Sequence, residues 1–248
     1  MFISAVSIDF GKLGDDNHYL RKVTEYSPIL DKLHIPLETR QTEATLLRPD
    51  SSSVFRNPPS REVDDAWERI TNVRPIPIAR EDVVKLGKDP DQFAKFPERF
   101  GLGPDAYMGR LDIFHVLHCV DQVRREAYFD HYYGQNWGTH ANASELHKTH
   151  ISHCVHIILQ NIMCSPNLDV YLHFWADAQP NAFPDFNVHH KCVDFERLLR
   201  WQEENSVDLE EFGAVRRPPG EKPRKMTPEF KELFSYEGPD RFEGGEVA

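Results

Sequence analysis

His115-Val116-Leu117-His118-Cys119 and His150-Ile151-Ser152-His153-Cys154 spell one signature, His-x-x-His-Cys, twice at an interval of 35 residues. A chain of this composition yields one copy by chance at roughly the 0.01 level, so two copies govern the reading of everything around them. Imidazoles at i and i+3 share one face of a helix. The flanks repeat as well. Val116, Val120, Val123 and Ala127 answer Ile151, Val155, Ile158 and Ile162, an apolar stripe at i, i+4, i+7 and i+11. At about 100° per residue the histidines project away from that stripe, with Cys119 and Cys154 on the flank. The expectation is a pseudo-two-fold pair of helices. Each is buried on two sides, its apolar side against the body and its imidazole side against its twin, so that four imidazoles converge.

Imidazole and thiol groups are common ligands of transition metals. A single histidine of this kind is more often a core residue hydrogen-bonded to backbone. Four of them, paired and repeated, point to a metal held by His115, His118, His150 and His153. They suffice for one ion, or for two ions with two imidazoles each and further ligands. The chain has four cysteines, Cys119, Cys154, Cys164 and Cys192. Each motif cysteine follows its second histidine directly, about 100° around the helix, which suits a disulfide better than a ligand role. Of the three connectivities open to four cysteines, the reading favours Cys119–Cys154 across the twinned helices and Cys164–Cys192 behind them. A His2Cys2 zinc site is the competing use of the same side chains, and spacing alone does not separate copper from zinc.

The formal charge of −11 argues against a nucleic-acid surface, which wants a basic face. A small molecule or a peptide is the easier partner. No run of 18 apolar residues exists, and residues 1–10 are too short and lack the basic flank of a signal peptide. Asn142-Ala143-Ser144 is a glycosylation sequon, relevant where the chain is lumenal or secreted.

The expected fold is a single, mainly α domain. Two antiparallel or crossing motif helices form its core, among irregular loops and a few short strands. Residues 1–25 form an N-terminal segment, 26–205 the domain and 206–248 a polar tail, expected to be mobile after Pro218. Ser60 caps a helix over 60–71, in which Val63, Trp67 and Ile70 have helical spacing. A short helix begins near Arg80, and 92–107 is loop or short strand. The motif helices span 111–131 and 144–163, joined by an aromatic connector containing Trp137 and His140. A strand within 167–175 and a helix over 193–204 complete the domain.

At this point the residues resemble a known family. His-x-x-His-Cys followed by Arg124, a second His-x-x-His-Cys ending in Met163-Cys164, then Trp175, His190-Lys191-Cys192-x-Asp194-Phe195 and Trp201 look like the fungal UstYa-like proteins. Pro58-Pro59-Ser60-x-x-Val63-Asp64-x-x-Trp67 fits the same pattern. The likeness covers about residues 25 to 205, and its motifs are specific.

That resemblance implies oxidative tailoring of fungal secondary metabolites, peptide natural products included, by cyclisation, desaturation, hydroxylation or halogenation of C–H positions. It implies copper at the paired motifs, dioxygen as co-substrate, and a lumenal domain behind one N-terminal membrane anchor. It also adds His190 as a candidate ligand. Association with a second copy or a related protein is a further expectation. The chain departs from the pattern in three places: no anchor is found within it, His156 stands where Asp is usual, and Leu159 stands where Arg is usual. Neither of these two positions is central to the histidine face, so the metal site is expected to survive. His140, His147, His173 and His189 are weaker ligand candidates. Tyr132, Tyr133, Trp137 and Trp175 are candidate pocket walls whose simpler role is core packing. Two other functions use the same side chains: a zinc-stabilised partner protein without catalysis, and a metal-independent cyclase using histidine as general acid and base.

Overall fold

The computed structural model describes residues 16–46 and 53–234. The reading of residues 1–10 lies outside them. The elements run α1 (Asp16–Val23), α2 (Ile29–Lys32), β1 (Leu37–Gln41), α3 (Arg61–Thr71), β2 (Ile76–Ala79), α4 (Arg80–Lys85), β3 (Ala106–Gly109), α5 (Asp112–Ala127), α6 (Phe129–Tyr132), α7 (Gly134–Trp137), α8 (Glu145–Cys164), β4 (Leu172–Trp175), β5 (Ala182–Asp185), β6 (His189–Val193), α9 (Phe195–Asn205), α10 (Leu209–Gly213) and α11 (Pro228–Phe234). The fold is mainly α, as expected. The strands form three antiparallel ribbons: β1 with β6, β2 with β3, and β4 with β5.

Local chemistry explains the helix starts. Ser60 accepts the Val63 backbone N–H at 3.3 Å and opens α3. Ser144 accepts the His147 N–H at 3.0 Å and opens α8. Each cap satisfies a donor that the first turn would otherwise leave orphaned. α5 stops at Ala127, short of the expected 131, because Tyr128 leaves helical geometry at φ −115° and ψ 40°. The connector then folds into the short turns α6 and α7, and Gly138, at φ +72°, ends the second of them in a conformation that favours glycine.

Two clusters make the core. Ile29, Ile76, Ile78, Val83 and Tyr107 form one, and Val73, Phe114 and Leu199 the other, with Leu111 and Leu198 packed against both. Phe114 and Leu199 are fully buried, which fixes the start of α5 against α9. The polar tail is not featureless: α11 lies against α8.

Neither of the expected apolar stripes is fully buried. On α5, Val116, Val120 and Val123 are partly buried and Ala127 is exposed. On α8, Ile151 and Ile158 are partly buried, whereas Val155 is 50% and Ile162 63% exposed. The histidine side, by contrast, is the buried one: His118 and His150 are 8% and 9% exposed, and Cys119 and Cys154 are fully buried. The reason is antiparallel pairing. His115 meets His153 and His118 meets His150, so α5 begins at Asp112, level with His156. Residues 157–164 of α8 have no stretch of α5 beside them.

Candidate metal centre

The imidazoles assemble as two crossed pairs. The rings of His115 and His153 lie 5.7 Å apart, and those of His118 and His150 5.6 Å apart. Within each helix the two rings stack at 6.4 Å (His115 and His118) and 6.5 Å (His150 and His153). Exchanging one motif for the other maps each pair onto its counterpart, the pseudo-two-fold arrangement expected from the repeat.

Each pair includes a thiol. The Cys119 Sγ lies 3.8 Å from His115 Nε2, and the Cys154 Sγ 3.6 Å from His150 Nε2. Donor atoms of His115, Cys119 and His153 all fall within 4.8 Å of one another, close enough to share one ion. This corrects the view of the motif cysteines as poorly placed for ligation. Measured from the adjacent histidine, Cys119 is a quarter turn away. Measured from His115 it is i+4, on the same face. The spacing was in the sequence; the reference residue was the wrong one.

The expected disulfides are a second correction: all four cysteines are free thiols. Cys119 and Cys154 are hydrogen-bonded neighbours, but unbonded covalently. Cys164 is exposed at the end of α8, and Cys192 lies in β6, with its thiol directed at the His190 carbonyl at 4.0 Å.

Electrostatics favour ligand-ready protonation states. Burial, reinforced by the surrounding imidazoles of His118, His153, His147 and His115, pulls His150 down to about 4. Burial likewise lowers His115. Both rings are therefore neutral near pH 7, as metal ligation requires. The two thiols diverge: the hydrogen bond between them lowers Cys119 and raises Cys154, which burial raises further. One thiolate is thus favoured within the pair. The Nε2 of His153 is buried and has no hydrogen-bond partner. A buried polar atom without a partner is costly unless a ligand satisfies it, and a metal ion would. The donor set and this orphaned nitrogen fit copper, and they fit zinc as well.

His190 lies elsewhere. It sits in β6 opposite Arg40, and its Nδ1 lies 2.7 Å from the Asp169 carboxylate and 2.8 Å from the Asn167 amide nitrogen. It is not part of the donor cluster. Trp175 is 81% exposed in β4. Asn142 is exposed in the turn His140–Asn142, where its Nδ2 donates to the Trp137 carbonyl at 3.0 Å.

Around the helix pair, other motif residues act as braces. Arg124 is held by Asp121 at 2.6 Å and Asp64 at 3.1 Å, and its guanidinium lies 5.2 Å from the Trp67 ring. Tyr132 donates to Asp64 at 2.6 Å. Burial opposes ionisation of Asp64, but the Tyr132 and Arg124 hydrogen bonds outweigh it and hold the carboxyl low. The stretch from Ser60 to Trp67 thus caps α3 and clamps α5 through Arg124. On the other side, the Glu126 carboxylate joins His147 at 2.9 Å and His140 at 3.1 Å. Neither brace was foreseen. Both depend on residues from separate elements, for which the one-dimensional order carries no signal.

Comparison with known proteins identifies the family. The family model "Mycotoxin biosynthesis protein UstYa" matches residues 1–205. The UstYa family oxidase aprY of Aspergillus flavus is 38% identical over 203 residues, 80% of this chain and 61% of that protein. The UstYa family oxidase phomYc of Diaporthe leptostromiformis is 30% identical over 189 residues, 75% of this chain and 72% of that protein. No solved structure matches. The match takes in both histidine motifs and the brace residues, and on it the chain belongs to the UstYa family.

Proposed function

We propose that this chain is a copper-dependent oxidoreductase that oxidises C–H positions of a small-molecule or peptide substrate in fungal secondary metabolism, with dioxygen as the oxidant. The observation that carries the reading is the His115–Cys119–His153 donor cluster with its buried, partnerless His153 Nε2, mirrored by the His118–His150 ring pair beside Cys154. The names of the relatives, oxidases of one family, support the redox class. A secretory-lumen setting, with Asn142 glycosylated, belongs to the same proposal.

Copper bound here would supply one-electron redox chemistry and a place for dioxygen to react. The chain's own groups do the rest. His115, Cys119 and His153 would hold one ion, and His118, His150 and Cys154 a second. Their helices are fixed by Phe114 below and by the Asp64–Arg124–Asp121 brace at the side, so the donors are arranged before metal arrives. Burial keeps His150 neutral and limits water around the two donor sets.

Metal analysis and electron paramagnetic resonance of the purified protein test this. Copper at one to two ions per chain, lost with His118→Ala or His153→Ala together with oxygen consumption, is the expected result. Zinc alone, with no oxygen uptake, would replace it by the zinc-stabilised partner protein.

A further inference from the structure

Beside the helix pair lies a cavity of about 240 Å³. The connector builds it. Phe129 packs on Tyr133 at 5.5 Å and on Trp137 at 6.2 Å, and both of those rings lie 4.7 Å from His147. Glu126, bridging His147 and His140, ties the connector to α8 and keeps these walls in place. Tyr132, Tyr133 and Trp137 form the walls, and Gln122 and Asn136 bring side-chain amides to them. Of the four motif imidazoles, only His150 lines the space. The two donor sets are alike in composition but unlike in what adjoins them.

We propose that this cavity is the substrate pocket, that it takes an uncharged ring carrying an amide or hydroxyl, and that it presents the substrate to the His118–His150–Cys154 set rather than to its twin. The last clause rests on the metal reading above. Size limits the occupant to about one ring of a larger molecule, since drug-sized pockets start near 300 Å³. Aromatic walls favour a planar group. No Lys, Arg, Asp or Glu lines the space. A cation is disfavoured because the guanidiniums of Arg124 and Arg125 already lie 5.0 and 5.1 Å from the Tyr132 ring. An anion gains little from those guanidiniums, because Asp64 and Asp121 engage them. What remains for a ligand to meet is Leu146, the imidazoles of His147 and His150, two amides, and the phenol of Tyr133, which burial holds protonated.

Three isosteric probes test the chemistry on the metal-free protein by fluorine NMR: 4-fluorobenzamide, 4-fluorobenzoate and 4-fluorobenzamidine. The neutral probe should bind with a Kd on the order of 1 mM, as a ten-atom fragment does, and the charged ones at least tenfold more weakly. Trp137→Leu should weaken the neutral probe at least fivefold, and Leu168→Ala, on an exposed loop, should leave it unchanged. Asn136→Asp, at an exposed position that should not disturb folding, should shift preference towards 4-fluorobenzamidine. Equal binding of all three probes, or no change in either pocket variant, overturns the pocket. In copper(II)-loaded protein at equal ring occupancy, paramagnetic broadening of the bound probe should fall more with His150→Ala than with His115→Ala. The reverse order overturns the choice of donor set. If the ring binds but copper never does, the pocket stands and the metal reading falls with the half-site assignment. If copper binds and the ring is excluded, only the pocket is lost.

Discussion

The two halves of α8 make opposite use of their side chains. In the first half, polar residues are inside: His147 and His150 are buried, and Cys154 is completely so. In the second half, apolar residues are outside: Leu159 is 50%, Ile162 63% and Met163 69% exposed. Residue polarity assigns the faces the other way round. What differs is the neighbour. The first half lies across α5, whose imidazoles and thiol match its own, whereas residues 157–164 run past the start of α5. A face is buried where a partner exists to cover it, and buried polar atoms are tolerated where their donors have each other or a metal.

The largest effect should come from the support under the buried half. Phe114→Ala removes a fully buried ring from the cluster with Val73 and Leu199 and should cost about 4 kcal/mol in a urea or thermal melt. A loss below about 1 kcal/mol would mean that α5 is not anchored there.

Next is the metal. His118→Ala and His153→Ala each leave a donor set with one imidazole and one thiol. Copper affinity should drop at least about 100-fold, or about 2.7 kcal/mol, while circular dichroism stays native. His156→Ala, at an exposed position about a quarter turn around the helix from the middle of the histidine face, should leave affinity within about threefold of the parent. Equal losses at positions 153 and 156 would erase the distinction between the two faces.

Acid should act on the buried half through His150. His150 is held near 4 in the folded protein against about 6.5 when unfolded, so the unfolded chain binds the extra proton more readily between those values. Stability of the metal-free protein is then level above pH 6.5 and falls as pH drops towards 4. After discounting for partial solvation, this group contributes about 2 kcal/mol to that loss. The check is a set of melts from pH 7 to 4 on the parent and on His150→Asn, whose curve should be flatter. Parallel curves would remove His150 from the account.

The smallest effect belongs to the exposed half. Ile162→Gln and Leu159→Gln should each change stability by less than about 0.5 kcal/mol, because little contact is lost. A cost near 2 kcal/mol would show that this face is covered in solution.

Some of the molecule was legible residue by residue. Ser60 and Ser144 announced helix starts because a cap is a contact between residues three apart. The paired histidines announced a shared face because helical phase is also local. The i+4 relation of Cys119 to His115 is equally local and places the thiol on the donor face. Other features had no local signal. The break at Tyr128 depends on the aromatic connector folding back over His147. The bridging of Glu126 to two histidines, of Arg124 to Asp64, and of His190 to Asp169 joins residues between 14 and 60 positions apart.

By itself, then, the order of residues determined two amphipathic helices, the face on which each motif imidazole lies, and a donor chemistry suited to a transition metal. Those properties follow from the helical repeat and from side-chain type, which neighbours do not alter. Only the tertiary structure decided which histidine meets which, that the motif thiols lie beside the imidazoles as free cysteines, that His190 meets Asp169 instead, and that Leu159, Ile162 and Met163 of α8 are exposed. These depend on the antiparallel stagger of α5 and α8, which is set by packing under Phe114 and by the Arg124 brace. Stagger is a relation between elements, and a periodicity within either helix is blind to it.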